Sequence, residues 1–574
     1  MNRYMLKIAM LALLHNTGFV SAQVARRFDI LVTEIFPDPT PSVGLPSYEF
    51  IEIRNVSSTP FNLKDWKISD ENSTATISIN YILKPDSTVI ICTNPSAAIF
   101  NSFGSTIAIS NFPSLDNDTD LIHLTSKEGV TIHAIKYNKG WYQNDVKSNG
   151  GWTLEMIDTK NPCAGMTNWK ASIDRSGGTP GKKNSIEGNN KDNTGPSLLR
   201  SYSIDSMTII VVFEEPVDSV NAADASSYFL DKNIGNPAMA TPVAPLFTDV
   251  ILNLSHPLSV TNVYSLSANN ITDCVGNIIG TSNKVRTGLA SMADTSDVII
   301  NEILFNPKSD GADFIELYNK SKKIINLQHV SIANRNPSGG LYNITQLSNK
   351  GYLFFPNDYV VFTESKRWLT LNYTLKNIEN ILELPSLPSL PDDKGSIVIQ
   401  NHQGNSIEEL QYEAKWHFAL IDNAEGISLE RIDYNSLTQN KNNWTSAAST
   451  AGFGTPGYQN SQFKIDKQLL GMITIVPKTF SPDNDGFDDL ATIQYQMTAP
   501  GYVGNITIFD ANGRSVRYLA KNATLASQGN FRWDGLDDKL QKLPIGIYIV
   551  FTEIFNLLGK TKKFKNVVTL ARKF

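Results

Sequence analysis

The stretch "SYEFIEIRNVS", residues 47–57, returns as "GADFIELYNKS", residues 311–321. Each copy sets a glutamate, Glu52 or Glu316, inside a run of strand-forming residues. The repetition extends in both directions. "DILVTEIFPDP" (29–39) matches "DVIINEILFNP" (297–307), and "STVIICTN" (87–94) resembles "DYVVFTES" (358–365). "GWTLEMID" (151–158) matches "GISLERID" (426–433), "NWK" (168–170) matches "NWT" (443–445), and "GTPGKKNS" (178–185) matches "GTPGYQNS" (454–461). The blocks keep one order, and their offset drifts only between 264 and 276 residues. A domain of about 160 residues is therefore written twice, which is not the short period of a solenoid.

Within a copy, short runs such as "DLIHLTS", "TIHAIKY" and "GWTLEMID" alternate with Pro, Gly, Asn and Asp turns. That spacing predicts an all-β fold, a string of immunoglobulin-like β-sandwich domains. The chain has 574 residues, 41% hydrophobic and 18% charged, enough to build cores. Short helical turns are expected only at "PSAAIFNSFG" (95–104) and "ESKRWLTL" (364–371), and the closing "GTPG" is expected to supply a turn and a stop.

The ordered blocks resemble the lamin tail domain family as found in bacterial exported proteins. The carrying residues are the openings "TEI" and "NEI", the "EFIEI" and "DFIEL" strands, "LKDW" (63–66), and the late "LER", "NW" and "GTPG" of the second copy. The second copy departs with "LQHV" (327–330) in place of "LKDW". The resemblance implies an immunoglobulin-like sandwich with a binding or scaffolding role and no catalytic residues of its own. Between the copies, "VVFEEPVD" (211–218), "SYFL" (227–230) and "DCVGN" (273–277) resemble a bacterial Ig-like domain of the surface-layer type, which implies a spacer or adhesive module. The last hundred residues, with "ITIFDANGRSV", "WDG" and "GIY", resemble FlgD-type Ig-like modules and the C-terminal sorting domains of type IX secretion. That likeness implies a sorting or attachment role and a Bacteroidota-type host. The expected division is a signal peptide over 1–22, lamin-tail-like domains over 27–188 and 295–462, an Ig-like domain over 195–290, and a C-terminal domain over 470–574.

Arg3 and Lys7, the apolar "IAMLALL" (8–14) and the small residues of "VSA" (20–22) read as a secretory signal peptide. The apolar run is too short to span a bilayer, so no transmembrane helix is expected in the mature chain. Removing Arg3 and Lys7 takes the formal charge from −6 to −8, against a nucleic-acid partner. The expected setting is extracellular, at a bacterial cell surface. The expected partners are an extracellular protein or polymer and the secretion or attachment machinery. Three cysteines, Cys92, Cys163 and Cys274, are too few for a disulfide framework. A Cys92–Cys163 bond within one domain is one option, but Cys92 in "TVIICT" reads better as a buried free thiol.

Catalytic signatures for zinc proteases, serine hydrolases, dinucleotide binding and P-loops are absent from the sequence. His123 and His133 read as surface or half-buried strand residues. "SPDNDGFDD" (481–489) is the metal candidate: Asp483, Asp485, Asp488 and Asp489 on a tight turn offer the hard oxygen ligands that Ca²⁺ takes. "LDNDTD" (115–120) is a weaker version. Strand alternation puts Phe50, Glu52 and Arg54 on one face, and Phe314, Glu316 and Tyr318 on one face in the second copy. A carboxylate half-buried beside an aromatic needs a partner, so Glu52 and Glu316 are expected to be structural, with Arg54 and Arg431 as donors. The leading expectation is a secreted, non-catalytic cell-surface protein. The alternative is an accessory or cryptic metal-dependent extracellular hydrolase or nuclease component, whose repeated second acids would be Glu34 and Glu302.

Overall fold

The computed structural model describes residues 24–463, 472–557 and 560–572. The expected signal peptide lies outside them. The fold is all-β, and the two helical turns expected from the sequence form at Asn94–Phe100 and Lys366–Asn372. The residues divide into two compact units, one comprising positions up to 200 with 208–256 and 265–285, the other 201–207, 257–264 and everything from 286.

The first unit contains the first repeat copy. Its six-stranded sheet runs Trp169–Ala171, Leu154–Met156, Ile30–Phe36, Phe50–Asn55, Thr88–Thr93, Thr106–Ile109. A four-stranded sheet of Thr131–Asn138, Thr119–Thr125, Lys67–Ser69 and Thr74–Thr76 faces it across one core. In the second unit the second copy repeats this order: Trp444–Ser446, Leu429–Arg431, Val298–Leu304, Phe314–Asn319, Tyr359–Thr363, Ile381–Glu383. Its four-stranded sheet is Ser406–Glu413, Lys394–Asn401, Val330–Arg335, Leu341–Gln346.

The strands Ile30–Phe36 and Val298–Leu304 are buried at every position. Both faces of each six-stranded sheet are thus covered, where a sandwich with one solvated face would alternate. Ile51 and Ile53 point into the main core. Phe50 points the other way, into a second cluster with Phe36, Leu45, Ile90, Cys92 and Phe100. A β-bulge interrupts the pairing at the same place in each copy, between Val32 and Glu34 and between Ile300 and Glu302.

Cys163 is bonded to Cys274, 111 residues away, and Cys92 is the buried free thiol. The Cys92–Cys163 option is therefore wrong. Cys92 faces the small cluster behind the sheet, whereas Cys163 lies in the loop that follows Leu154–Met156 and meets the segment after Tyr264–Ala268. Arg27 adds to the same junction. It donates to the Val217 carbonyl at 2.9 Å and stacks on Phe28 and Phe247, and burial lowers its pKa to about 10.

In the second unit the last strands form a three-stranded sheet, Met472–Val476, Ala491–Gln496, Gln528–Trp533, and a five-stranded one holding Tyr502–Asp510, Ser515–Leu525, Gly546–Asn556, Thr561–Leu570 and Thr479–Phe480. They pack on the end of the second copy: the Ser527 hydroxyl donates to the Ser461 and Phe463 carbonyls, and the Ser449 amide donates to the Thr524 hydroxyl.

Candidate functional site

Register places three carboxyls side by side in each six-stranded sheet. Glu34 lies opposite Glu155 on one neighbouring strand and opposite Glu52 on the other. In the second copy Glu302 lies between Glu430 and Glu316 in the same way. All six are 0–1% exposed. They occupy the face away from the main core, beneath the loop "GTPGxxNS".

Each polar letter of that loop holds something. The Thr179 amide donates to Glu34 at 2.7 Å and its hydroxyl to Glu155 at 2.8 Å. The Gly181 amide donates to Glu52 at 2.7 Å, and Thr33 donates to the other oxygen of that carboxyl at 3.1 Å. Asn184 donates to the carbonyls of Thr33, in the bulge, and Met156, both at 2.9 Å. Ser185 donates to Glu155 at 2.7 Å. The second copy repeats the set: Thr455 to Glu302 and Glu430, the Gly457 amide to Glu316 at 2.6 Å, Asn460 to the carbonyls of Asn301 and Arg431, and Ser461 to Glu430 at 2.8 Å. Gly181 and Gly457 have φ of +74° and +89°, and a Cβ at either would collide with a backbone carbonyl, of Phe103 or Lys376. Glycine is required there both by the left-handed backbone and by the close approach.

The expected arginine donors are elsewhere. Among the described residues, neither arginine donates to the glutamate it was expected to hold. Arg54 instead reaches Glu187 at 3.3 Å. Arg431 adjoins Glu430, so alternation sends it to the opposite face. There it pairs with Glu408 at 2.9 Å and donates to the Ile300 carbonyl at 3.0 Å.

Three carboxyls without a cation cannot all ionise cheaply. Burial, then the neighbouring carboxyls of Glu52 and Glu155, raises Glu34 well above the ordinary value. Burial lifts Glu52 to about 7 against the bonds from Gly181 and Thr33. Burial and Glu430 lift Glu302 to about 8. Burial and Glu302 raise Glu316 well above the ordinary value, and burial raises Glu430. The Thr455 hydroxyl lies 2.9 Å from both Glu302 and Glu430. It has one proton to give, so it satisfies both only if one carboxyl is protonated and donates back. The arrangement is a set of hydrogen-bonded acids clamped under a loop, with no surface open to a substrate.

Glu155 and Glu430 were the members that sequence reasoning missed. Both stand in the aligned "LEM" and "LER" blocks, and letter-by-letter identity between the copies was the signal for them.

His133 is fully buried, not half-buried. It accepts from the Val32 amide on Nδ1 at 2.9 Å, which leaves Nε2–H to donate to the Pro162 carbonyl, and burial lowers its pKa to about 4. His123 is half-buried in the neighbouring strand. In the acidic turn, carboxyl oxygens of Asp483, Asp485 and Asp489 lie within 4.8 Å of one another. Asp488 does not join them: its carbonyl accepts from Ser481, and its φ of +50° turns the chain. The Asp489 carboxyl accepts from the Asn484 and Gly486 amides. In "LDNDTD", Asp120 accepts from the Asp116 and Leu121 amides, as turn chemistry requires.

The Lamin Tail Domain family matches residues 23–139 and again 291–414. One match falls in each copy, and the "GTPGxxNS" loops lie beyond both matched ranges. No curated protein matches the chain. Among solved structures, the N-terminal part of the bacterial S-layer protein SbsC is 13% identical over 29% of this chain and 39% of that one, with a TM-score of 0.16. Dimeric latent PorU from Porphyromonas gingivalis is 8% identical over 79% of this chain and 40% of that one, at a TM-score of 0.15. PorZ, a surface component of the type IX secretion system of the same organism, is 10% identical over 79% and 56%, at 0.15.

Proposed function

We propose that this protein is an exported, non-catalytic surface scaffold. Two lamin-tail sandwiches present binding surfaces on either side of an Ig-like spacer, and the C-terminal module serves secretion or attachment. The observation that carries the reading is the burial of all six repeated glutamates beneath their own loops. These are the repeated acids that the strand register sets side by side, and their hydrogen bonds are committed to holding the fold. The partner is an extracellular protein or polymer. Ca²⁺ is the proposed ligand of the acidic turn, now through Asp483, Asp485 and Asp489, with Asp488 as a turn residue.

Two experiments test this. The first assays the full chain for phosphodiester and ester hydrolysis with and without chelator. Activity that vanishes in Glu52→Gln or Glu316→Gln protein of intact fold overturns the non-catalytic reading. The second deletes Lys467–Phe574 and follows the protein's location. A truncated chain that still reaches the cell surface removes the sorting role from that segment.

A further inference from the structure

Two of the chain's seven histidines, distant in sequence, meet on the surface of the second sandwich. The rings of His329 and His402 lie 5.0 Å apart between centroids, tilted by 52°. Both residues are exposed. Among the described residues, neither imidazole makes a hydrogen bond or an ion pair. Burial and then the His402 ring hold the pKa of His329 below its ordinary value, which keeps its lone pair available.

Both rings stand on rigid supports. His329 closes the turn Leu327–His329, capped by the Asn326 side chain. His402 sits in the tight turn after Lys394–Asn401. The buried Asn401 carboxamide there accepts from the Gln403 and Asn405 amides and donates to the Ala293 carbonyl. Two ligands held this way lose little freedom on binding, the condition for a preorganised site. The spacing also suits one shared ion. With a metal–nitrogen distance of about 2.1 Å and tetrahedral angles, two imidazoles on one Zn²⁺ keep their ring centres about 5 Å apart.

The first copy provides an internal contrast. Its "LKDW" puts Asp65 where His329 stands, and its matching turn, Ser126 to Gly129, puts Lys127 where His402 stands. The pair is therefore a property of the second copy and no requirement of the fold.

We propose that His329 and His402 form a surface site for a borderline divalent cation of the Zn²⁺, Cu²⁺ and Ni²⁺ class, with the remaining positions open to water or a ligand from a partner. Imidazole favours these ions over Ca²⁺ and Mg²⁺.

The test is calorimetric titration of Zn²⁺ into the full chain, repeated with His329→Ala, His402→Ala and Asp485→Asn. One micromolar site is expected, weakened at least tenfold by either histidine change and unmoved by Asp485→Asn. Both histidines are exposed, so the variants should keep the parent thermal transition, which is measured alongside. Zinc binding of equal strength in both histidine variants, binding lost only in Asp485→Asn, or no binding at millimolar zinc would each overturn the site.

Discussion

The two sandwiches answer one structural demand with different chemistry. Each has a bulge in its central strand, which leaves backbone groups without ladder partners. Both copies satisfy the bulge carbonyl with the asparagine of the loop, Asn184 or Asn460. They part company at the matching buried residue, Val32 or Ile300, where one copy engages the amide and the other the carbonyl. The first copy uses neutral His133 to receive the Val32 amide. The second uses Arg431 to donate to the Ile300 carbonyl and neutralises it with Glu408. His133 and Glu408 stand at one offset, 275 residues, as do Met156 and Arg431. The acid triad and the loop residues that hydrogen-bond to it are kept while the pair on the opposite face is exchanged wholesale. The copies thus share the triad and the loop threonine, glycine, asparagine and serine that hold it, and differ in which bulge group the opposite face engages.

The largest expected effect tests that exchange. Arg431→Met strands the buried Glu408 carboxylate and should cost about 4 kcal/mol, the usual range for breaking a buried ion pair from one side. Adding Glu408→His imports the residues of the first copy and should recover at least half of the loss. Urea unfolding followed by hydrogen exchange of the second sandwich reads both, and a double variant no better than the single one refutes the equivalence. Next in size is the disulfide, which only the first copy has. Cys163→Ser should cost about 3 kcal/mol for a bond closing so long a loop. Hydrogen exchange should rise over residues 24–190 and stay unchanged over 295–460. Equal loss in both ranges would show that the bond does not act locally. A smaller contrast separates the two loops. Thr455 serves two carboxyls with its hydroxyl, whereas the Thr179 hydroxyl serves one. Thr455→Val should therefore cost about 2 kcal/mol and Thr179→Val about 1 kcal/mol. A larger cost for Thr179→Val reverses that ranking of the two hydroxyls.

Much of this was legible before any coordinates. The repeat exposed the two copies and their matching strands, and alternation placed Glu52 and Glu316 beside aromatics on the face away from Ile51 and Ile315. What sequence could not supply was the donor. Same-face parity suggests Arg54, but its guanidinium turns to Glu187. "LER" suggests Arg431, but adjacency to Glu430 sends it to the opposite face. The donors are Thr33 and Asn301 on the adjacent strand and, 129 residues downstream of Glu52 and 141 of Glu316, the amides of Gly181 and Gly457. A backbone amide leaves no letter in a sequence. Of the cysteines, the apolar run around Cys92 gives its buried free thiol, whereas no spacing marks the bond that joins Cys163, in a loop of the first copy, to Cys274 in the segment that follows it.

The last contrast is the dependence on pH, a gradual one, and it distinguishes the acids from the histidines. Glu52 and Glu302 have folded values raised to about 7 and about 8. The folded chain keeps protons that the unfolded chain releases above its ordinary carboxyl value. Their stabilisation is therefore complete at low pH and lost as pH rises through the folded values, at on the order of 1 kcal/mol per pH unit for each titrating acid. His133 and His417 act in the opposite sense. Burial lowers both to about 4, so their contribution is present above the ordinary histidine value and lost as pH falls toward 4. Between about pH 4.5 and 6.5 the two tendencies offset each other. Above that window only the acids titrate, and the thermal midpoint should fall steadily from pH 6.5 to 8.5. Because Glu302 titrates higher than Glu52, the second sandwich should still be losing stability where Glu52 has already given up its proton. Glu302→Gln removes one proton from the cycle and should flatten the alkaline limb of the second sandwich alone. A midpoint that rises across that range would mean the triads are ionised in the folded chain, and the clamp would then need a cation that the hydrogen-bonded loop does not provide.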